Sequence, residues 1–366
     1  MMRIAGFAAE NMASSHLRVF QWVQTMRERG HDATFYGDAL LDLATIDRKF
    51  EGCDAVVYGR THDINRICAV QAGRKVHGFK LVVDTDDLVD DIPRFNFASG
   101  AFNNSTGLIR MTHAQYRDAD AVTVSTPYLY ERTKGHNKSC YIVPNCIDEA
   151  VYKSVRFREK EARHRGDIRI YWGGGGGHYG DLLIVKDALL RIVSEYPQVK
   201  LVFSNFVPNW AASLPSNRVF FLPLVPFTAF PKVLAWLCCD IGVAPLTDHP
   251  HNRSKSHVKW LDYGMAGVAG VYQDMEAYDS VVDGLTGLKA VSPEDWYERV
   301  KLLIDNPVLR SEIARHAKRE ILARWTVDQW AHKYERMLTE VTQGKPNERF
   351  VAQPLIEGEA VACQTL

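Results

Sequence analysis

Two lysines and an aspartate at helical spacing form an arrangement in this sequence that could hold an anionic substrate. Lys255 and Lys259 are four residues apart, and Asp262 lies three residues further on. On a helix, these side chains would share one face. Two ammonium groups there could neutralise a diphosphate, and the carboxylate could accept hydrogen bonds from ribose hydroxyls. The alternative is a solvated helix surface that carries the same charges.

A run of five glycines, Gly173 to Gly177, follows the apolar segment 168–172 and precedes His178 and a helical pattern. Glycine lets backbone N–H groups approach a ligand closely, and the start of a helix favours anions. The pattern therefore predicts a diphosphate or sugar site, with a flexible loop that binds nothing as the alternative. The run lacks the lysine of a P-loop, and His178 fills the last glycine position of the dinucleotide fingerprint.

Three carboxylates, Asp84, Asp86 and Asp87, follow the valine-rich segment 81–84. They lie at the carboxyl end of a predicted parallel strand, where α/β proteins place their sites. A divalent metal, helix capping and hydrogen bonding to a substrate hydroxyl are three open interpretations. His16, His62 and His178 are further candidate site residues, each beside a predicted cleft, with surface histidines as the alternative.

Short valine-rich strands alternate with helical patterns along both halves of the chain, which predicts βαβ units and parallel sheets. The predicted strands are 3–7, 33–36, 55–58, 81–84, 121–125, 140–144, 168–172, 200–204, 219–222, 241–244 and 269–271. The main predicted helices are 16–29, 181–196, 227–237, 254–265, 293–306, 309–322 and 327–341, and residues 9–15 are predicted to be a loop. The highly charged segment 152–167 has few apolar residues and is interpreted as a linker.

The composition is that of an ordinary globular protein of 366 residues, with 46% hydrophobic residues. The 44 basic residues balance the 44 acidic ones, which argues against strong non-specific binding to nucleic acid or membranes. No apolar stretch approaches the length of a membrane span, and the first residues resemble a strand more than a signal peptide. The seven scattered cysteines include no C-x-x-C pair, so no zinc site is expected. Their odd number and the length of the chain favour a reducing compartment over a disulfide scaffold. We therefore expect a cytoplasmic protein without stable membrane insertion.

Several further motifs, spread over residues 1–340, carry a resemblance to a known family. They are the segment VPNCID at 143–148, LPLVP at 222–226, APL at 244–246, Gly267 after the Lys255–Asp262 pattern, and the aromatic stretch 325–334. In this order they resemble the GT-B glycosyltransferases, particularly retaining family 4. The pattern D-x-D-D at 84–87 and the pattern N-x-x-K-S-x-x-K at 252–259 are similar to those of a subgroup found among bacterial surface-glycan and phage-encoded enzymes.

The resemblance implies an α/β fold with two Rossmann-like domains facing a cleft and a C-terminal helix that crosses back to the first domain. The implied organisation has five parts: an acceptor-side domain at 1–150, a linker at 151–167, a donor domain at 168–325, a crossover helix at 326–342 and a loose tail at 343–366. The implied activity is the transfer of a hexosyl or pentosyl unit from a nucleotide sugar to a hydroxyl group, with retention of configuration. Neither a cofactor nor a metal is implied.

The resemblance also implies roles for particular residues. The implied catalytic groups are Lys255, Lys259, His178 and Asp86. The implied donor contacts are Gly174, Gly175, Gly176, Gly177, Ser204, Leu224, Asn252, Ser254 and Asp262. The implied acceptor-side residues are Ser15, His16, Arg18, His62, Asp84 and Asp87. The sequence departs from the family where Asp262 and Ser254 replace two glutamates, and where Ser204 and Asn205 stand in place of a basic residue.

Two acceptors are compatible with these patterns. A glycan or small hydroxylated acceptor is favoured over DNA with a 5-hydroxymethylpyrimidine, since duplex binding draws on clustered positive charge. DNA stays open because of a basic stretch in the first half: Arg60, Arg66, Arg74, Lys75 and Lys80, with Arg94 and Arg110 further on. If the reaction inverts, His16, His62 or Asp86 would be the candidate base. A nucleotide-sugar epimerase and an inactive binding protein of the same shape are further alternatives.

Overall fold

The computed structural model describes residues 1–9, 12–37, 46–153 and 166–345. Within these residues the chain forms two parallel sheets of six strands each. The first sheet contains β1 Arg3–Ala8, β2 Asp32–Gly37, β3 Ala55–Gly59, β4 Lys80–Thr85, β5 Ala121–Val124 and β6 Cys140–Ile142. The second contains β7 Ile168–Gly173, β8 Val199–Ser204, β9 Val219–Leu222, β10 Ile241–Ala244, β11 Ala269–Gln273 and β12 Leu288–Ala290.

Helices cover both faces of each sheet. In the first half they are α1 Ala13–Ser15, α2 Gln21–Glu28, α3 Ile46–Phe50, α4 Ile64–His77, α5 Ser99–Phe102, α6 Thr106–Asp118, α7 Pro127–Thr133 and α8 Glu149–Lys153. In the second half they are α9 Tyr179–Ile184, α10 Lys186–Glu195, α11 Phe230–Leu237, α12 Pro250–Arg253, α13 Val258–Met265, α14 Pro293–Asp305, α15 Pro307–Arg324 and α16 Val327–Thr342. None of the helices among the described residues is both long enough and apolar enough to cross a bilayer.

The strand order places the chemistry-bearing loops. The orders are β2-β1-β3-β4-β5-β6 and β9-β8-β7-β10-β11-β12, and every pairing is parallel. The second order is that of the Rossmann fold, with its reversal between β7 and β10. The glycine run follows β7 and the lysine-containing loop follows β10, so both lie at the crevice where open α/β sheets bind ligands.

The strands form where the sequence is continuously apolar. Residues Ala55 to Tyr58 of β3 are all at most 2% exposed, because helices cover both faces of the sheet. The predicted fold class is confirmed, and the predicted strands are found close to their predicted bounds. The short edge strand β12 was not predicted, since three residues are too few for a periodic signal.

The predicted helix 254–265 is wrong at its start. The structure has a short helix, α12, then a non-helical segment, and α13 begins only at Val258. In that segment Ser254 Oγ accepts a hydrogen bond from the Leu88 amide, and Ser256 Oγ accepts one from Asn145 Nδ2. These contacts with the first half outweigh the helical spacing. Lys255 therefore does not share a helical face with Lys259.

Two other predicted boundaries differ. Helical structure begins at Ala13, inside the predicted loop 9–15, and continues through a π-helical turn at His16–Phe20 into α2. The predicted helix 181–196 is divided at Val185 into α9 and α10. Of the predicted linker only the ends are described, because residues 154–165 lie outside the described part, as do Glu10, Asn11 and the tail from residue 346.

Helix α16 returns to the first half of the molecule, as expected. Its Tyr334 ring stacks on Trp22 of α2 with centroids 4.8 Å apart. Met337, Leu338 and Val341 join the same buried cluster beneath the first sheet. The Ile147–Thr326 bridge fixes the point where the chain crosses. The C-terminal helix is therefore part of the N-terminal core.

We expect Leu338→Ala to lower the free energy of unfolding by about 2–5 kcal/mol, because it leaves a cavity between α16 and α2. Leu338 is fully buried in that cluster. The matched control is His332→Ala on the exposed side of α16, which should stay within about 0.5 kcal/mol. Urea unfolding of the two variants measures both values. Equal losses would contradict the crossing of α16 onto the first half.

Candidate active site

The carboxyl ends of the two sheets face each other across a closed cleft. Lys255, from the loop after β10, contacts Asp87, from the loop after β4, with Nζ and Oδ1 2.5 Å apart. His251 Nδ1 lies 2.6 Å from the Leu88 carbonyl oxygen, and Thr126 Oγ1 donates to the Ser254 carbonyl at 3.0 Å. The residues singled out in the two halves of the sequence therefore meet in one place.

The glycine run continues β7 and turns into a short 3-10 helix, Gly176–His178. A Cβ atom at Gly177 would lie 3.1 Å from Asn96 Nδ2. At Gly180 a Cβ would lie 2.3 Å from the Phe95 ring. Both neighbours belong to the first half, so glycine here permits the close approach of the two halves. The predicted ligand contacts at Gly174, Gly175 and Gly176 stay a prediction.

Asp181, at the start of α9, is a buried centre of hydrogen bonding that the sequence analysis did not assign. It is fully buried, and its Oδ1 accepts hydrogen bonds from the Thr247 amide, Thr247 Oγ1 and Asn252 Nδ2 at 2.8–2.9 Å. Burial alone would raise its pKa, but His178 and these donors lower it below the usual value. An ionised Asp181 thus joins the glycine run to the loop after β10.

His178 contacts that carboxylate directly. Its Nδ1 lies 2.7 Å from Asp181 Oδ2, and its ring meets the Trp172 indole edge-on. Burial and the nearby Lys259 ammonium lower the pKa of His178. The imidazole is therefore neutral at pH 7, with Nδ1 as the donor to Asp181.

Lys259 lies on α13 beside the glycine run. Its Nζ is 5.9 Å from the centre of the Trp172 ring. Within the described ranges no hydrogen bond or ion pair reaches this half-buried ammonium group, and burial lowers its pKa. A buried cation without a counter-ion is costly, so this position calls for an anion.

Lys255, by contrast, is already paired. Burial alone would raise the pKa of Asp87, but Lys255 outweighs it and holds that pKa well below the usual range. Asp86, next to this pair, has no hydrogen-bond or ion-pair partner in the described residues. Burial and the adjacent Asp87 raise the pKa of Asp86 to about 6. The two aspartates thus differ sharply in proton affinity.

Asp262, one turn beyond Lys259, accepts a hydrogen bond from Tyr152 Oη at 2.8 Å. Burial raises the pKa of Asp262 to about 7, although Tyr152 and Lys259 both lower it. The carboxylate is half-buried. For Asp262 to bind a ribose as predicted, the ribose hydroxyl must either share the carboxylate with Tyr152 or replace the Tyr152 hydroxyl.

Two predicted donor contacts lie inside the protein. Ser254 is fully buried, and its hydroxyl donates to the His251 carbonyl while accepting from Leu88. Asn252 is 2% exposed and is bound to Asp181 and Thr247. Both side chains are occupied by protein partners, which argues against direct donor contact. They position the loop that carries Lys255.

Ser204 lies beside the glycine run, whereas Leu224 follows the edge strand β9. The Ser204 carbonyl accepts a hydrogen bond from the Gly174 amide at 3.2 Å. The Leu224 side chain is 74% exposed, just after the end of β9. Both predicted donor contacts stay predictions.

Arg18 and Asp84 form a buried ion pair where acceptor contacts were predicted. Each side chain is 3–4% exposed. Arg18 donates from Nη2 and Nε to the two Asp84 oxygens, and from Nη1 to Asn145 Oδ1. Thr123 Oγ1 donates to Asp84 at 2.6 Å. Their burial argues against a direct contact with an acceptor, and gives the pair a positioning role.

The remaining acceptor-side residues are half-buried. His62 Nε2 lies 3.1 Å from both Arg60 Nη1 and Thr112 Oγ1, and burial with the Arg60 charge lowers its pKa to about 4. His16 packs between Phe20 and Phe227, and burial lowers its pKa. Ser15 ends α1 beside it. These environments make both histidines weak bases at neutral pH.

The basic stretch of the first half does not line the cleft as a unit. Arg74 and Lys80 both pair with Asp120. Arg74 lies near the end of α4 and Lys80 at the start of β4. Both are therefore at the amino ends of the strands of the first sheet, whereas the cleft lies at the carboxyl ends. Of the stretch, Arg60 directly follows β3, and its Nε donates to Thr85 Oγ1 at the carboxyl end of β4.

Known proteins share this fold. No protein-family model matches the sequence, and no curated protein matches it. The Anabaena protein HepE in complex with UDP-glucose has a TM-score of 0.70 at 12% identity, over 93% of this chain and 100% of that one. Sucrose-phosphate synthase from Thermosynechococcus elongatus has a TM-score of 0.67 at 10% identity, over 94% and 100%.

A glycosyltransferase from Rickettsia africae has a TM-score of 0.65 at 10% identity, over 93% of this chain and 98% of that one. At such low identities the likeness establishes the fold. The chain thus has the GT-B arrangement of two Rossmann-like domains facing a cleft, which was predicted from its motifs.

Replacing Arg18 by Met should destabilise the protein by about 3–5 kcal/mol, because it leaves the Asp84 charge buried without its partner. The double variant Arg18→Met/Asp84→Leu removes both charges and should recover part of that loss. Arg324→Met, which breaks an exposed pair with Glu320, is the control and should stay within about 0.5 kcal/mol. Denaturant unfolding of the four proteins tests this. A double variant less stable than Arg18→Met would contradict it.

Proposed function

We propose that this protein is a glycosyltransferase that moves a hexosyl or pentosyl group from a nucleotide sugar to a hydroxyl acceptor. The observation that carries the proposal is Lys259, a half-buried ammonium group without an anionic partner among the described residues, beside a glycine-rich loop. A diphosphate placed there would supply the missing negative charge. Its oxygens would also accept hydrogen bonds from the backbone amides of Gly175 to Gly177.

In this mechanism the protein stabilises the charge that develops on the departing nucleoside diphosphate. Lys259 acts on it directly, and Lys255 acts while shared with Asp87. Asp262 would accept a hydrogen bond from the ribose. Closure of the two halves excludes water and so limits hydrolysis of the donor. The ammonium groups make a metal unnecessary, so we propose that the reaction is independent of metal and of any cofactor.

We propose further that transfer retains the anomeric configuration, as the family resemblance implies. Retaining transfer needs no dedicated base. The environment of His62 supports this, because a histidine whose pKa is about 4 is a poor base near neutrality. Asp86, whose carboxylate has no partner among the described residues, would then orient the acceptor hydroxyl.

We propose a glycan or small hydroxylated molecule as the acceptor, and the cytoplasm as the place of reaction. The pairing of Arg74 and Lys80 with Asp120, away from the cleft, supports this choice. A phage-type transfer to modified DNA would need a continuous basic surface that leads to Asp86. Two alternatives differ from transfer in what they produce. An epimerase would yield an epimer of the donor sugar, and a binding protein would leave the donor unchanged.

Lys259→Ala should weaken the binding of nucleoside diphosphates about ten- to a hundredfold, because it removes a charge-assisted hydrogen bond worth about 1.5–3 kcal/mol. Lys255→Ala should have a smaller effect, since that lysine is already paired with Asp87. The matched control is Lys289→Ala, because Lys289 lies on β12 and is paired with Asp274. Calorimetric titration with UDP, ADP and GDP gives the affinities. Unchanged affinity of Lys259→Ala would contradict the donor site.

The activity itself is tested with radiolabelled UDP-, ADP- and GDP-sugars, offered with glycan acceptors and with DNA that contains 5-hydroxymethylcytosine. We expect transfer to a glycan or small acceptor, at the same rate with and without EDTA, and a product with the anomeric configuration of the donor by NMR. Unmodified DNA and the Lys259→Ala variant are the controls.

Each result of this assay has a definite meaning. Salt-sensitive labelling of the modified DNA alone would replace the proposed acceptor. Activity lost in EDTA and restored by magnesium would contradict metal independence. Formation of an epimer without transfer would replace the proposed reaction.

A further inference from the structure

We propose that His178, held by Asp181, takes up a proton when the donor diphosphate binds and donates its Nε2–H to that diphosphate. This inference rests on the proposed function, because it needs a diphosphate at the glycine-rich loop. It goes further by giving the site a second cation that exists only in the complex. Donor binding would then be coupled to pH.

The orientation of the imidazole is fixed from its Nδ1 side. Asp181 is fully buried and lies 2.7 Å from Nδ1. Thr247 and Asn252 donate to the other oxygen of this carboxylate, so it is held in place and stays ionised. Nδ1 must therefore carry a proton, which leaves Nε2 as the nitrogen that gains or loses one.

The free edge of the ring faces the glycine run. A Cβ atom at Gly174 would lie 3.5 Å from Cδ2 of His178, the atom bonded to Nε2. The side chain is 23% exposed, and no described residue forms a hydrogen bond with Nε2. His178 and Lys259 lie against the same Trp172 ring. A diphosphate that neutralises Lys259 would therefore lie beside Nε2.

The charges around His178 explain why the proton is absent before binding. Burial lowers its pKa, Lys259 and Lys255 lower it further, and Asp181 raises it. His251 is the other titratable group that interacts with it. A diphosphate brings two negative charges next to the ring and offsets both lysines, so the pKa of His178 rises on binding.

The sign of the pH dependence follows from this direction. A group whose pKa rises on binding strengthens the complex at low pH, and the gain is lost as the pH rises through the pKa of the complex. Affinity for the donor should therefore fall from pH 6 to pH 8, by about tenfold if one proton is taken up over part of this range.

The probes are UDP-glucose, ADP-glucose and GDP-mannose, because a sugar-esterified diphosphate has no titratable group near neutrality. Calorimetry at pH 7 in buffers of different ionisation enthalpy gives the number of protons taken up. We expect about half a proton or more for the probe that binds, and none for His178→Gln. Asp181→Asn keeps the ring but removes its charge partner, and should reduce the uptake.

Three controls separate His178 from other titrating groups. Lys259→Arg keeps a permanent charge, so proton uptake should persist if lysine titration is not its source. Asp262→Asn removes the neighbouring carboxylate with a pKa of about 7, and the uptake should again persist. His332→Gln, on the exposed side of α16, controls for the loss of any histidine. Thermal unfolding confirms that each variant is folded.

The failure of this inference differs from the failure of the proposed function. Tight binding with no proton uptake in the wild type, or with unchanged uptake in His178→Gln, would overturn the role of His178 and leave the donor site in place. If none of the three probes bound, the donor site and this inference would both be overturned.

Discussion

The ion pair between Arg18 and Asp84 is the interaction on which the geometry of the cleft depends. Moving both charges out of water costs several kcal/mol per ion, so every donor and acceptor of the pair must be matched. Arg18 reaches Asp84, the Val143 carbonyl and Asn145 Oδ1. Because the guanidinium is planar and rigid, it fixes the relative positions of the π-helical turn His16–Phe20, β4 and the turn after β6.

The same network extends into the second half. Asn145 donates from Nδ2 to Ser256, and its carbonyl oxygen lies 3.2 Å from His257 Nε2. His257 immediately precedes α13, the helix that carries Lys259. A second buried carboxylate, Asp181, positions the opposite wall. Each half thus contributes one acidic group whose oxygens are hydrogen-bonded, and between them lies Lys259, a cation without a hydrogen-bonded partner among the described residues.

Sequence patterns were sufficient for the fold because parallel strands are continuous apolar runs and glycine marks the turn after β7. They also located the cleft, since loops at the carboxyl ends of strands converge. They failed where long-range contacts decide local structure: the segment after α12 leaves the helix to bind Leu88 and Asn145. Spacing along the chain contains no information on such partners.

The electrostatic roles were the hardest to predict from sequence. Asp181 has no distinctive motif of its own, although its position three residues after His178 at the start of a helix was a usable signal. The aspartates of 84–87 look equivalent in sequence, yet one is paired with Arg18, one with Lys255, and Asp86 with neither. Burial and neighbours, rather than residue type, separate the pKa values of Asp86 and Asp87.

The contacts that close the cleft have a kinetic consequence. The Leu88 amide donates a hydrogen bond to Ser254 Oγ, and the Leu88 carbonyl contacts His251 Nδ1. The adjacent Asp87 forms an ion pair with Lys255. The nucleotide sugar of the proposed function would have to enter through an open form in which these contacts are broken. Because the same contacts form again around the bound donor, the open population limits the rate of association and leaves the final affinity unchanged. If about 1% of the molecules were open at a given moment, association would be about a hundredfold slower. The seam between the two halves would thus set how fast the proposed donor site fills and empties.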